Sequence, residues 1–436
     1  MAEIRPFRAL RFTPKAGKSE EVTCPPYDII DEEQRKGFLM QNPHNIIRLE
    51  LPRDGADPYK QAGKVLKGWL DNGILRQDDT PAVYVYEIRF TLERDGDNLG
   101  TQDESRSIMG LISLVKLEEF ENGVVLPHEE TLSKAKTDRF NLMQATNCNF
   151  SCIYSLYMDE DGKGEMPDIP AVISNMQPIS EMTDENLLEH RLWAITDPEI
   201  ISGIQRNMAD TRLYIADGHH RYETALNHRN ALRSQGTPQG AASDYVMMMM
   251  VEMNHPGLVV FPTHRLVRGL ENFDAAALIK ASAPYFDVTQ NIEIAALNET
   301  LEKAYMGGRH AFGFYTGGDF FTLMTLRDPS TMDKLLPSLS PASRSLDVTI
   351  LHTLVLERLM GIDRENMANQ RNLTYTRSLC DVLGGVDKGD FQCGFILNPT
   401  RVSEIRDVAS AGEKMPQKST YFYPKLITGL TMNKLD

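Results

Sequence analysis

Eight consecutive residues, Ala216-Asp217-Gly218-His219-His220-Arg221-Tyr222-Glu223, gather two carboxylates, two histidines and an arginine around one glycine. Before them, Leu213-Tyr214-Ile215 reads as a short buried strand. Behind them, Tyr222, Ala225, Leu226 and Leu232 recur at roughly helical spacing until Gly236 and Pro238 close the segment. The run therefore occupies a strand-to-helix turn. The first N–H groups of a helix lack backbone partners and carry the positive end of its dipole, so such a turn attracts anions. Arg221 adds a planar donor that grips phosphate or carboxylate through two parallel hydrogen bonds. Phosphate binding is the predicted chemistry. The plainer reading is that Asp217 caps the helix while the histidines and the arginine are solvated, although a cap needs one such residue and not five.

Four further segments are dense in polar side chains: Pro25-Pro26-Tyr27-Asp28, residues 128–139, Thr263-His264-Arg265, and residues 414–425. A site assembled from them holds lysine and arginine for phosphate charge, carboxylates for a metal or a hydroxyl proton, and histidines for proton transfer. That mixture suits phosphoryl transfer, whose catalysis is mostly positioning and charge stabilisation. Gly218, His219, Arg221, Lys418 and Ser419 are expected to hold nucleotide phosphates, from ADP or ATP with Mg²⁺. Asp217 or His220 is expected to take the substrate proton, and Glu129 or Glu223 to hold metal or a substrate amine. His128, Glu223, His264 and Arg265 complete the predicted substrate side, while the metal ligands stay unassigned. Two familiar motifs fail. His128-Glu129 opens like a zinc-protease helix but has Leu132 where a second histidine is required, and Lys418-Ser419-Thr420 lacks the glycine-rich spacing of a P-loop. Thr263-His264-Arg265 also reads as plain polarity at a strand end. The lysine tail also reads as a solvated loop, against which Tyr421-Phe422-Tyr423 argues for partial burial.

These segments need a scaffold of mixed type. Residues 4–12 alternate charged and apolar and read as a half-buried strand, Asp31-Glu32-Glu33 starts a short helix, and residues 58–72 form a helix with Ala62, Val65, Leu66 and Trp69 on one face. Residues 82–92 and 107–116 form a hairpin around a polar stretch that includes Arg94-Asp95-Gly96-Asp97, and a helix follows through Phe140, Leu142 and Met143. Residues 160–166 read as a loop, the pattern from 184 to 193 as helical, and 198–208 as an amphipathic helix. The Met-rich run 245–253 is a core strand, its sulfurs serving packing more than metal binding. Beyond it, helices at 274–283 and 294–305 alternate with strands at 311–315 and 320–326, before one more helix at 346–359. The fold class is α+β, in three regions: 1–165 with the His-Glu loop, 166–268 with the strand-turn-helix, and 269–436 with the lysine-rich tail.

At 436 residues the chain has room for two or three domains of roughly 100–200 residues. Its 41% hydrophobic and 25% charged residues are ordinary for a globular protein. A formal net charge of −15 disfavours nucleic acid as a partner. No leader pattern and no run near ~18 apolar residues is visible, so the expected location is the cytoplasm, away from membranes. Five scattered cysteines without zinc-knuckle spacing are expected to be free thiols. Oligomeric state is left open.

Arg5-Pro6-Phe7-Arg8-Ala9, Cys24-Pro25-Pro26-Tyr27-Asp28, Asn42-Pro43, His128-Glu129, Ala216-Asp217-Gly218-His219-His220-Arg221-Tyr222, Pro262-Thr263-His264-Arg265 and the 412–425 tail follow one another as in a known family. In that order, over nearly the whole chain, they resemble the bacterial and archaeal family called domain of unknown function 1015, whose genes tend to lie near those of serine biosynthesis. Asp217-Gly218-His219-His220-Arg221 alone is similar to the Gly-x-x-Arg turn of the ParB and sulfiredoxin superfamily, which binds nucleotides and includes a free-serine kinase. The resemblance implies a ParB/sulfiredoxin-like core with inserted and appended α+β elements, with Gly218 and Arg221 on nucleotide phosphates. His219 stands where sulfiredoxin has its cysteine, and no residue here matches the kinase's catalytic acid. The expected function is a phosphotransferase acting on a small hydroxyl-bearing metabolite, free serine being one candidate. Its rivals are a small-molecule phosphatase, for example on phosphoserine, and a non-catalytic nucleotide or metabolite sensor.

Overall fold

The computed structural model describes residues 2–92, 104–131, 133–158 and 166–435, with the opening residues 133–135 of one helix described by backbone only. The polar stretch Arg94-Asp95-Gly96-Asp97, Leu132 and residues 160–165 of the predicted loop lie outside the described residues. The chain is α+β, as its mixed periodicities predict. One mixed nine-stranded sheet runs in the order Val125–Leu126, Leu213–Asp217, Ile153–Tyr157, Tyr245–Glu252, Glu104–Lys116, Val83–Leu92, Glu189–Ile195 and Ser180–Thr183, with Ile4–Arg5 paired to Glu104–Lys116. It takes strands from both the 1–165 and the 166–268 regions. A second, fully antiparallel sheet of six strands runs Phe286–Glu293, Phe320–Leu326, Ala311–Tyr315, Cys393–Ile396, His264–Val267 and Leu373–Thr376.

Tyr245–Glu252 shows why its sequence reads as a continuous apolar run. Met247, Met249 and Val251 enter one core, and Val246, Met248 and Met250 enter the other, because successive side chains of a strand point to opposite faces. One of these cores also holds Ile204 and Met208 of helix Pro198–Ala209 and Tyr222, Ala225 and Leu226 of helix His219–Ser234. The other continues without a break into Phe312, Phe314 and Phe395 of the second sheet. The two sheets thus share one apolar interior, and loops between them are held on both sides.

Four local expectations need correction. Residues 184–193 are not helical: Ser180–Thr183 and Glu189–Ile195 form an antiparallel hairpin. Leu187, which suggests helical spacing, is exposed in the turn at φ 61°, while Leu188 and Leu192 enter one core and Trp193 and Ile195 the other. Residues 4–12 break into Ile4–Arg5 and Leu10–Phe12, since Pro6 offers no N–H to a ladder. Thr263-His264-Arg265 starts a strand, His264–Val267, instead of ending one. The helix at 346–359 is α-helical only over Asp347–Ile350 and winds as a π-helix over Leu351–Leu359. Elsewhere the boundaries are close, as in helix Pro58–Asp71 capped by Asp57 and strands Ala311–Tyr315 and Phe320–Leu326. All five cysteines are free thiols, and no described helix is long and apolar enough to cross a membrane.

Because both faces of Tyr245–Glu252 are covered, Met248→Ala and Met249→Ala should each cost about 2–5 kcal/mol. The measurement is the urea midpoint of each variant. A near-zero shift for either one would mean that its face is not packed.

Candidate functional site

Strand Leu213–Asp217 delivers the chain to Gly218, whose φ of 99° lies in the left-handed region. A Cβ there would meet Arg221 Nε at 2.8 Å, so the backbone conformation favours glycine and any side chain would displace the neighbouring guanidinium. Gly218 is the N-cap of the 16-residue helix His219–Ser234 and gives it no side-chain cap. The capping role considered for Asp217 is therefore not the one it has. Its carboxylate instead meets Lys425 Nζ at 2.7 Å and Arg221 Nη2 at 3.6 Å. Arg221 Nη1 also donates to the Cys152 carbonyl. Tyr222 anchors the helix from behind, donating to the Glu118 carbonyl at 2.8 Å and accepting the Glu118 N–H at 3.0 Å.

The lysine-rich tail closes over this turn. Strand Tyr421–Tyr423 pairs with Val259–Phe261, the Met415 N–H donates to the His128 carbonyl at 2.7 Å, and the Lys418 N–H donates to Glu129 Oε1 at 3.1 Å. Lys418 sits at φ 55°, an unusual conformation for a side-chain-bearing residue. Its carbonyl accepts from Arg265 Nη2 at 3.2 Å, so the residue is gripped at both its N–H and its C=O.

The histidines divide by environment. His128 and His219 are buried, with ring centroids 4.6 Å apart. His128 Nδ1 donates to the Ile215 carbonyl at 2.7 Å, which leaves Nε2 to accept the Thr420 hydroxyl at 3.0 Å. His219 Nε2 accepts the His128 backbone N–H at 3.2 Å. Burial pushes His128 down to about 4 and His219 well below the usual histidine range, so both are neutral near pH 7. They lock the His-Glu loop against the turn. His220 is half-buried, and burial lowers it as well, against the pull of Glu223.

The carboxylates divide too. Burial raises Asp217, but Lys425 and Arg221 overcome it and hold the group far below the usual carboxylate range. Glu129 moves the other way, because burial outweighs the opposing pull of Lys418. Glu223 is held down despite burial by Lys136 and Thr131, each at 2.8 Å from Oε2, with Lys414 Nζ 3.6 Å from Oε1.

The structure gathers Glu129, His128, Asp217, Gly218, His219, His220, Arg221, Glu223 and the Lys418 backbone around one turn. Three predicted residues lie behind the loop instead. Arg265 is 1% exposed and supports Lys418, His264 Nδ1 accepts the Leu397 N–H at 3.3 Å, and the Ser419 hydroxyl donates to the Pro416 carbonyl. Sequence reasoning chose Lys418 and passed over Lys425, although both stand in the same tail. No local signal separates the two, because the tertiary path of the tail decides which one reaches Asp217. Asp28 was named as polar but given no role, yet its charge acts on both Arg221 and Lys425. Among the described residues no cluster of three or more His, Cys, Asp or Glu has the arrangement of a metal site.

Some solved structures show limited likeness. A conserved hypothetical protein from Pyrococcus furiosus is 15% identical, over 75% of this chain and 95% of that one, with a TM-score of 0.35. A free serine kinase in complex with AMP is 14% identical, over 75% and 91%, with a TM-score of 0.36. A variant of a free serine kinase in complex with ADP is 13% identical, over 75% and 92%, at 0.37. No curated protein matches the sequence. A family model described as "Protein of unknown function (DUF1015)" matches residues 4–349, well over half of the chain, and the chain belongs to that family.

Proposed function

We propose that the protein is a phosphotransferase that passes a phosphoryl group from a nucleotide to the hydroxyl of a small metabolite, free serine being one candidate. The observation that carries this reading is the convergence of Arg221 and Lys425, 14% and 16% exposed, on Asp217 at the uncapped start of a 16-residue helix. First-turn N–H groups and two cations that stay reachable from solvent suit the phosphates of a nucleotide. The same groups would stabilise charge on the transferring phosphoryl, where most of the catalysis of this reaction lies. Mg²⁺, held by the phosphates and Asp217, would neutralise part of that charge. Asp217, pinned between cations, is a poor proton acceptor. Glu129, raised by burial, is a better one and takes over the role assigned from sequence to Asp217 or His220.

Arg221→Ala and Lys425→Gln should each weaken ATP or ADP binding about 10- to 100-fold, following a loss of about 1.5–3 kcal/mol for a hydrogen bond to a charged group. Titration calorimetry reads the change, with thermal shift as a screen. A protein whose melting temperature is moved by no nucleotide would overturn the proposal. Binding without phosphorylation of any hydroxyl metabolite would make it a sensor, and hydrolysis of phosphoserine a phosphatase.

Glu129→Gln keeps an acceptor for the Lys418 N–H and loses the base. It should leave nucleotide affinity within about two-fold and lower kcat about 10²- to 10⁴-fold. Because a raised carboxyl stays protonated to higher pH, wild-type kcat/KM should fall toward acid with a midpoint above the ordinary glutamate value of about 4.3. Retention of kcat in Glu129→Gln, with loss in His220→Gln, would move the base to His220.

A further inference from the structure

A cavity of about 160 Å³ adjoins the tail, lined by Lys414 and Gln417, by Glu130 beside Glu129, and by residues of the π-helix Leu351–Leu359. π-Helical winding is rare, mostly confined to single-turn bulges, and frequent at functional sites. Here it runs for nine residues, closing with the Met360 N–H on the Val355 carbonyl at 2.9 Å. Leu351, Leu354, Val355 and Leu356 of this segment are buried in the core, while His352 and Glu357 line the cavity.

His352 is 6% exposed, and its Nε2 accepts from Arg265 Nε at 3.2 Å. Burial and the adjacent guanidinium keep the ring neutral, so its proton resides on Nδ1 and that nitrogen is a donor. Arg265 is itself an uncommon neighbour. Its N–H groups reach the Thr263 and Lys418 carbonyls and His352, and it lies over the Tyr375 ring, yet among the described residues no carboxylate pairs with it. A buried cation without a counter-ion is costly. The other cations at the cavity are already matched, Arg364 to Glu357 at 3.6 Å and Lys414 to Glu223 at 3.6 Å. Behind His352 the Arg265 charge has no carboxylate partner, whereas the lining carboxylate Glu130 is exposed to solvent at the cavity's rim. Leu336, Leu339 and Met367 supply apolar wall between the hydroxyls of Ser343, Thr349 and Thr353. The volume is close to the roughly 150 Å³ of a cavity that admits benzene.

We propose that this cavity binds a small carboxylate with an apolar body about the size of a ring, the carboxylate accepting from His352 Nδ1 and offsetting the charge of Arg265. The site does not depend on the phosphotransferase reading, and its test uses no nucleotide. The full-length protein is titrated calorimetrically with sodium benzoate, benzamide and phenyl phosphate. Benzoate binds, and benzamide, which has the same shape without the charge, binds at least ten-fold more weakly. His352→Phe keeps the ring volume and loses at least ten-fold in benzoate affinity. Ala368→Trp fills the cavity from its half-buried wall, leaves His352 in place and abolishes binding. Circular dichroism and melting temperature establish that each variant is folded. The proposal is overturned by no benzoate binding, by equal affinity for benzamide, by wild-type affinity in either folded variant, or by tighter binding of phenyl phosphate than of benzoate.

Discussion

The arrangement depends on one ion pair, Lys425 Nζ to Asp217 Oδ2 at 2.7 Å, between residues 208 positions apart. It fastens the C-terminal tail to the strand-to-helix turn. Taking two charges out of water offsets much of what their attraction returns, so such a pair adds little net stability. Removing one partner is different, because it strands the other charge in a poorly solvated place. The pair thus acts chiefly on register. With Lys425 on Asp217, strand Tyr421–Tyr423 pairs with Val259–Phe261, Met415 reaches the His128 carbonyl and the Lys418 N–H faces Glu129. A tail shifted by one residue would turn its alternate side chains to the wrong face and lose those contacts together.

That register sets the acid-base character of the turn. Asp217 and Glu129 are both carboxylates in a partly buried setting, and burial alone would raise both. Two cations beside Asp217 reverse the effect there, whereas the Lys418 N–H and the charges of Lys418 and Lys425 are too little to offset the desolvation of Glu129, to which the Asp217 charge adds. Separation of neighbouring carboxylates by environment is how a single site obtains both a permanent anion and a proton acceptor. The neutral His128 and His219 contribute by not competing. Each ring nitrogen that bonds the loop serves as a neutral donor or acceptor, so the cations at the helix start face no extra positive charge from them.

Much of this was legible in the sequence wherever periodicity was unambiguous. The strand, glycine and helix of the turn, helix Pro58–Asp71, and strands Ala311–Tyr315 and Phe320–Leu326 all follow from local pattern. Misreadings arose where two periods fit the same letters. Leu187, Leu188 and Leu192 satisfy helical spacing, yet the hairpin wins because it pairs Glu189–Ile195 with Val83–Leu92 along seven residues. Roles were harder to read than elements. Lys418 and Lys425 are equivalent as residue types, and only the tertiary path of the tail shows that one presents its backbone to Glu129 while the other reaches Asp217. The sequence places Arg265 on the substrate side, but three neutral acceptors around a buried guanidinium make it a strut. The π-winding of Leu351–Leu359 has no local signature, since its apolar spacing also fits an α-helix.

Arg265 also ties the two parts of the molecule together. From His352 in the second cavity, hydrogen bonds run through Arg265 to the Lys418 carbonyl, and across that residue to Glu129 at the turn. Lys418 is held at positive φ, a conformation of higher intrinsic energy that the hydrogen bonds at its N–H and C=O help to maintain. At the far end of this path the Lys418 N–H opposes the rise of the Glu129 carboxyl that burial causes. The physical path between cavity and turn is therefore short and made of polar contacts.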